Sequence, residues 1–69
     1  MRLNPTDHPA GSRVLCEAGR LRSSHLYEMN VIEWSPGGRA KVKFLHTFNG
    51  TWLDQESLPN VVEHLGVAK

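Results

Sequence analysis

From Ser12 onward the apolar residues come in short runs broken by turn chemistry, the pattern of an all-β domain. Residues 13–17 (Arg-Val-Leu-Cys-Glu) form the first predicted strand. Residues 18–24, with Gly19 and two serines around Arg20, Leu21 and Arg22, keep no period and read as a loop. The next run, 25–34, is long for a strand and carries Leu26, Tyr27, Met29, Val31, Ile32 and Trp34 on both parities. A strongly bent strand that buries opposite faces in its two halves accounts for that. Ser35-Pro36-Gly37-Gly38 predicts a tight hairpin, because proline presets φ and glycine accepts φ > 0. Residues 39–45 then alternate, with Ala40, Val42 and Phe44 inward and Arg39, Lys41 and Lys43 outward. Asn49-Gly50 carries a type I′ hairpin signal before Thr51-Trp52-Leu53. Residues 54–59 end in Pro59 and suit a single 3₁₀ turn, and 60–65 supply a last short strand. Residues 1–11, with Pro5, Pro9 and Gly11, read as an extended arm that lies on its own barrel or on a neighbouring chain.

These elements predict a small, five-stranded, strongly bent antiparallel barrel over residues 12–66, an arm over 1–11 and a tail over 67–69. The expected core is Val14, Cys16, Met29, Val31, Val42, Phe44, Trp52, Leu53, Leu58 and Val62. A chain of 69 residues makes one small domain and excludes a deep cleft between two lobes. At this size only about 60% of the unfolded surface is buried, which places stability near the low end, about 5 kcal/mol. The single cysteine, Cys16, excludes an internal disulfide and a Cys-rich zinc site, and fits a buried residue in a reducing compartment. No apolar run approaches the roughly 18 residues of a membrane span, and the first residues lack the apolar stretch of a secretion signal. A soluble, cytoplasmic protein is therefore expected.

The order of five strands, a loop after the first, a tight hairpin and a 3₁₀ turn before the last strand resembles the SH3-like small barrels, including the Tudor and chromo-barrel families. Within residues 12–65, Gly11-Ser12-Arg13-Val14-Leu15-Cys16 is similar to the first strand of a chromo barrel. Leu26-Tyr27-Glu28 looks like the start of its second strand and Phe44-Leu45-His46 like its third. A second similarity, to small SH3-like proteins encoded by tailed phages and prophages, runs from Val31 to Gly66. It is carried by Ile32-Glu33-Trp34-Ser35-Pro36-Gly37-Gly38, Lys41-Val42-Lys43, Trp52 and Val61-Val62-Glu63-His64-Leu65. The phage resemblance implies a non-enzymatic accessory or assembly protein that binds other proteins, in a host cytoplasm or a virion. The chromo-barrel resemblance implies a nuclear methyl-lysine reader whose cage residues would be Tyr27, Phe48 and Trp52, with Thr47 where a further aromatic belongs.

Three sets of side chains carry candidate chemistry. Tyr27, Trp34, Phe48 and Trp52 are expected to line a rim groove for a protein partner, since aromatic anchors dominate small interfaces. In the reader alternative, ring faces would hold an ammonium. The basic residues Arg20, Arg22, Arg39, Lys41 and Lys43 form a stripe that offers phosphate contacts to a nucleic acid. The same alternation suits a strand's solvated side, and with eight basic against seven acidic residues the net charge is only +1. His8, His25, His46 and His64, with Asp7 and Asp54, show no zinc spacing, and no Gly-x-Ser-x-Gly elbow is present. No enzyme activity, metal, cofactor or membrane partner is expected, while the arm offers a route to a homo-oligomer by strand addition.

Overall fold

The structure, a computed structural model, describes residues 1–18, 25–45 and 47–67. It is all-β: β1 (Ser12–Ala18), β2 (His25–Trp34), β3 (Ala40–Phe44), β4 (Thr51–Leu53), a 3₁₀ turn (Gln55–Ser57) and β5 (Asn60–Val67). The strands form one antiparallel sheet in the order β4-β3-β2-β1-β5, so β1 to β4 make a meander and β5 returns to lie beside β1. Alternation sends Val14, Cys16, Met29, Val31, Ala40 and Val42 to one face, where all are buried with Leu3 and Val61. The register stacks them in rows across the sheet, Val14 against Met29 and Val31 against Val42. Phe44, Leu53, Leu58, Tyr27 and Trp34 pack half-buried around them.

The two apolar parities of β2 come from a bulge. Ladder pairing passes from Val31↔Val42 to Glu33↔Lys41, leaving Ile32 as the extra residue. Beyond it Glu33 points outward with Lys41, and Trp34 points inward opposite the buried Ala40. The hairpin at 35–38 forms as expected: Gly38 N–H donates to the Ser35 carbonyl (3.0 Å), Ser35 N–H to that of Arg39 (2.8 Å), and Gly38 sits at φ 86°.

Several expectations are corrected. Trp52 lies opposite Lys41 on the outer face and is 38% exposed, while its neighbour Leu53 faces Ala40 inward. Val62 is exposed and Val61 takes its place in the core, because irregularities in the β1–β5 ladder reset the parity of β5. β5 continues to Val67 through Gly66, which lies opposite Arg13 at a φ of 130°, so the last strand is longer than the expected 60–65. Positive φ occurs at Gly11, Gly38 and Gly66 and not at Gly50, so Asn49-Gly50 is no type I′ turn; β3 and β4 are joined over residues 45–50. The loop expected at 18–24 falls, from residue 19 on, outside the described residues.

The sheet does not close on itself, since β4 and β5 are its edges. Residues 1–11 cover the seam rather than standing free. Arg2 makes an antiparallel bridge with Asn60, Leu3 N–H donates to the Pro59 carbonyl (3.0 Å), and Val61 N–H donates to that of Met1. The Arg2 guanidinium reaches across to the Gln55 carbonyl in the 3₁₀ turn after β4. Leu3 is 1% exposed and belongs to the core. A turn at 5–7 then brings the chain round to Gly11, whose N–H donates to Val31 (2.8 Å).

Candidate functional site

β2 is ten residues long and β3 only five, and the mismatch makes a site. β3 pairs with the Met29–Trp34 part of β2 and ends at Phe44, after which the chain turns away at Leu45. Residues 25–28 run on, paired with β1 on one side and with no strand on the other among the described residues. The overhang and the end of β3 bound an open groove of about 660 Å³, lined by Leu15, Leu26, Tyr27, Glu28, Phe44 and Leu45. The Tyr27 and Phe44 rings meet at 5.9 Å, tilted by 47°, and form its wall. Leu26 and Leu45 stand 60% and 61% exposed at its rim.

The groove is lined mostly by apolar side chains among the described residues. Its one charged lining residue among the described residues, Glu28, is bound by Arg13, with Nη2 at 2.7 Å and Nε at 3.3 Å from the same oxygen. Burial, with a smaller contribution from Cys16, raises the Tyr27 hydroxyl above its ordinary value. Burial alone pushes the neighbouring Cys16 thiol up to about 11, so it stays neutral at pH 7 and lacks the thiolate a nucleophile needs. What this arrangement can do is desolvate apolar side chains beside a run of strand backbone that no described strand pairs.

Of the four aromatic residues expected to share one groove, only Tyr27 lines this one. Trp34 is at the opposite end of β2, packed on the core with its Nε1–H donating to the His8 carbonyl (2.7 Å). Phe48 projects from the β3–β4 connection and is 97% exposed. Trp52 carries the Arg39 guanidinium over its ring at 5.4 Å, and Asp54 holds that guanidinium at 3.0 Å. Trp52 lies in the Lys41–Glu33 row, six positions along β2 from Tyr27, or about 20 Å of strand, and on the other face. Tyr27 and Trp52 therefore do not share a cage, and the face of Trp52 already holds a cation.

The basic residues Arg39, just before β3, and Lys41 and Lys43, on its outer face, are interleaved with acids and amides. Arg39 is paired with Asp54, Lys41 lies opposite Glu33, and Lys43 opposite Asn30. Arg20 and Arg22 lie outside the described residues, as does His46. His8 is buried with its ring edge-on to His64 (5.7 Å between centroids), and His25 is exposed. Among the described residues no three His, Cys, Asp or Glu side chains are placed to hold a metal ion, and no helix is long and apolar enough to cross a membrane.

Sequence reasoning missed Leu15, Leu26 and Leu45 as site residues and placed Phe44 only in the core. The available signal was the unequal length of the two predicted strands flanking the 35–38 hairpin, which forces one to overhang the other. No protein-family model, curated protein or solved structure matches the chain.

Proposed function

We propose that the chain is a non-enzymatic binding module that docks an extended, apolar segment of a protein partner in the groove beside Tyr27. The observation that carries this reading is the overhang of β2 at His25–Glu28, unpaired by any described strand and flanked by the exposed Leu26 and Leu45. An unpaired strand edge offers a row of backbone donors and acceptors, and an added strand takes its specificity from alternate side chains entering a neighbouring pocket. Leu15, Leu26, Phe44 and Leu45 select apolar side chains there, while the Tyr27 hydroxyl adds one polar handle. Burying a leucine-sized side chain contributes about 1.5–3 kcal/mol, so two anchors plus strand pairing suffice for a modest affinity once association entropy is subtracted.

The SH3-like reading of the fold is supported by the meander of four strands, the 3₁₀ turn after β4 and the return of β5 to β1. A place among phage or prophage accessory proteins rests on the stretches of β2 to β5 that resemble them. The test is a selection of ligands from a random peptide library with the full chain. Selected peptides are expected to lose at least tenfold in affinity for a Leu26→Glu/Leu45→Glu variant and to bind Trp52→Ala as they bind the parent. Ligands that bind the double variant undiminished would contradict the reading.

A further inference from the structure

At the far end of β2 from the groove, the first eleven residues are fastened by a small set of bonds that converge on one histidine. Asn4 N–H donates to His8 Nδ1 (3.1 Å), His8 N–H donates back to the Asn4 carbonyl (2.9 Å), and Asp7 N–H donates to Asn4 Oδ1 (2.8 Å). The His8 carbonyl accepts the Trp34 indole N–H at 2.7 Å, which ties this loop to the end of β2. His8 is a buried residue, and its ring meets that of His64 of β5 edge-on. Just upstream, Leu3 fills the core and Met1 to Leu3 hold the β5 edge at Asn60 and Val61.

We propose that residues 1–11 form a proton-sensitive clasp, held shut by a neutral His8 and released when that ring takes a proton, which uncovers the seat of Leu3 and the β5 edge at Asn60-Val61. Nδ1 accepts a hydrogen bond from Asn4 and has a lone pair for it only in the neutral ring. A proton there sets two donors against each other and places a charge where almost no water reaches. The charged and titratable groups facing the ring are His64 from β5, and Asp7 and the N-terminal ammonium from the segment itself; from β2 comes only the uncharged Trp34. Burial, and after it His64, hold His8 below its ordinary value of 6.5, against a backbone hydrogen bond with Asn4 and, after it, the Asp7 carboxylate, both of which raise it. The released segment leaves His8 in water at its ordinary value, so it binds the proton more readily than the docked one. Docking is therefore unaffected above pH 6.5 and weakens as pH falls below it, levelling off at the lowered value.

The experiment follows amide and indole hydrogen exchange by NMR on the full chain from pH 7.5 to 5, as protection factors corrected for intrinsic rate. Protection of the Leu3 and Val61 amides and the Trp34 indole is expected to fall by up to about tenfold per pH unit below the ordinary histidine value. Met29 and Val42, in the β2–β3 ladder, are expected to keep theirs. His8→Asn, which retains an acceptor near the Nδ1 position and cannot be protonated, is expected to flatten the profile. His64→Ala, at an exposed position, is expected to make the fall shallower by removing the second imidazole that faces the ring. A flat profile in the parent chain, simultaneous loss at Met29 and Val42, or an unchanged profile in His8→Asn would each overturn the proposal. Should His8→Asn fail to fold, an unchanged profile in His64→Ala does so instead.

Discussion

The two ends of β2 are built from the same kinds of residue and finished in opposite ways. At the Trp34 end every neighbour is in place: β3 pairs with the strand through Ala40, the 35–38 hairpin closes it, and residues 1–11 lie across it with the Trp34 indole bonded to His8. At the Tyr27 end β3 has stopped, Leu26 and Leu45 face water, and described residues supply no partner for the strand edge. The aromatic residue at the finished end is packed and hydrogen-bonded, and the one at the unfinished end borders an open groove. Aromatic content alone therefore does not locate a binding site; what decides is whether the chain has already spent the residue's hydrogen-bonding and packing capacity on itself.

This contrast can be broken at several points. The largest effect is expected at the finished end, from Leu3→Ala. It removes a fully buried side chain across the seam and is expected to cost about 2–5 kcal/mol in denaturant unfolding, with peptide affinity of the folded fraction unchanged. Next comes the unfinished end, where Leu26→Glu/Leu45→Glu is expected to abolish at least nine-tenths of peptide affinity while stability stays within about 0.5 kcal/mol per substitution. Gly38→Ala sharpens the account of the closed hairpin. Its φ of 86° and the Gln55 amide nitrogen 3.1 Å from an added Cβ are expected to cost about 1–2 kcal/mol, read as a lower melting temperature. The smallest effect is expected from Arg39→Ala on the outer face. It removes an exposed pair with Asp54 and an exposed cation–π contact with Trp52, so stability should change by no more than about 1 kcal/mol and peptide binding not at all.

Much of the fold was legible because turn chemistry brackets the strands. The limits of β2 and β4 follow from their flanking Ser-Pro-Gly-Gly and Asn-Gly stretches, and the inward set on β3 follows from strict alternation of Ala40, Val42 and Phe44 with Arg39, Lys41 and Lys43. What was not legible depends on register. Period-2 reasoning fails wherever an irregularity adds a residue, which is why Val61 rather than Val62 is buried. Trp52 faces outward because its partner is Lys41, a fact set by the length of the 45–50 connection. Leu3, with Met1 before it and polar and proline residues around it, gives no periodic signal, yet it is buried in the core beside the open sheet's β5 edge. The site itself is a consequence of unequal strand lengths, so Tyr27 was identifiable as a candidate while Leu15, Leu26 and Leu45 beside it were not.

The most direct measurement is to titrate the ¹⁵N-labelled chain with a peptide selected by it and to follow backbone amide shifts residue by residue. The account predicts that the largest changes fall on residues 25–28 and on Phe44 and Leu45, with slowed exchange of overhang amides as they acquire partners, while Trp34 and Trp52 indole signals stay in place. Shifts centred on Trp52, Phe48 and the outward lysines of strand 3, with residues 25–28 unmoved, would contradict it.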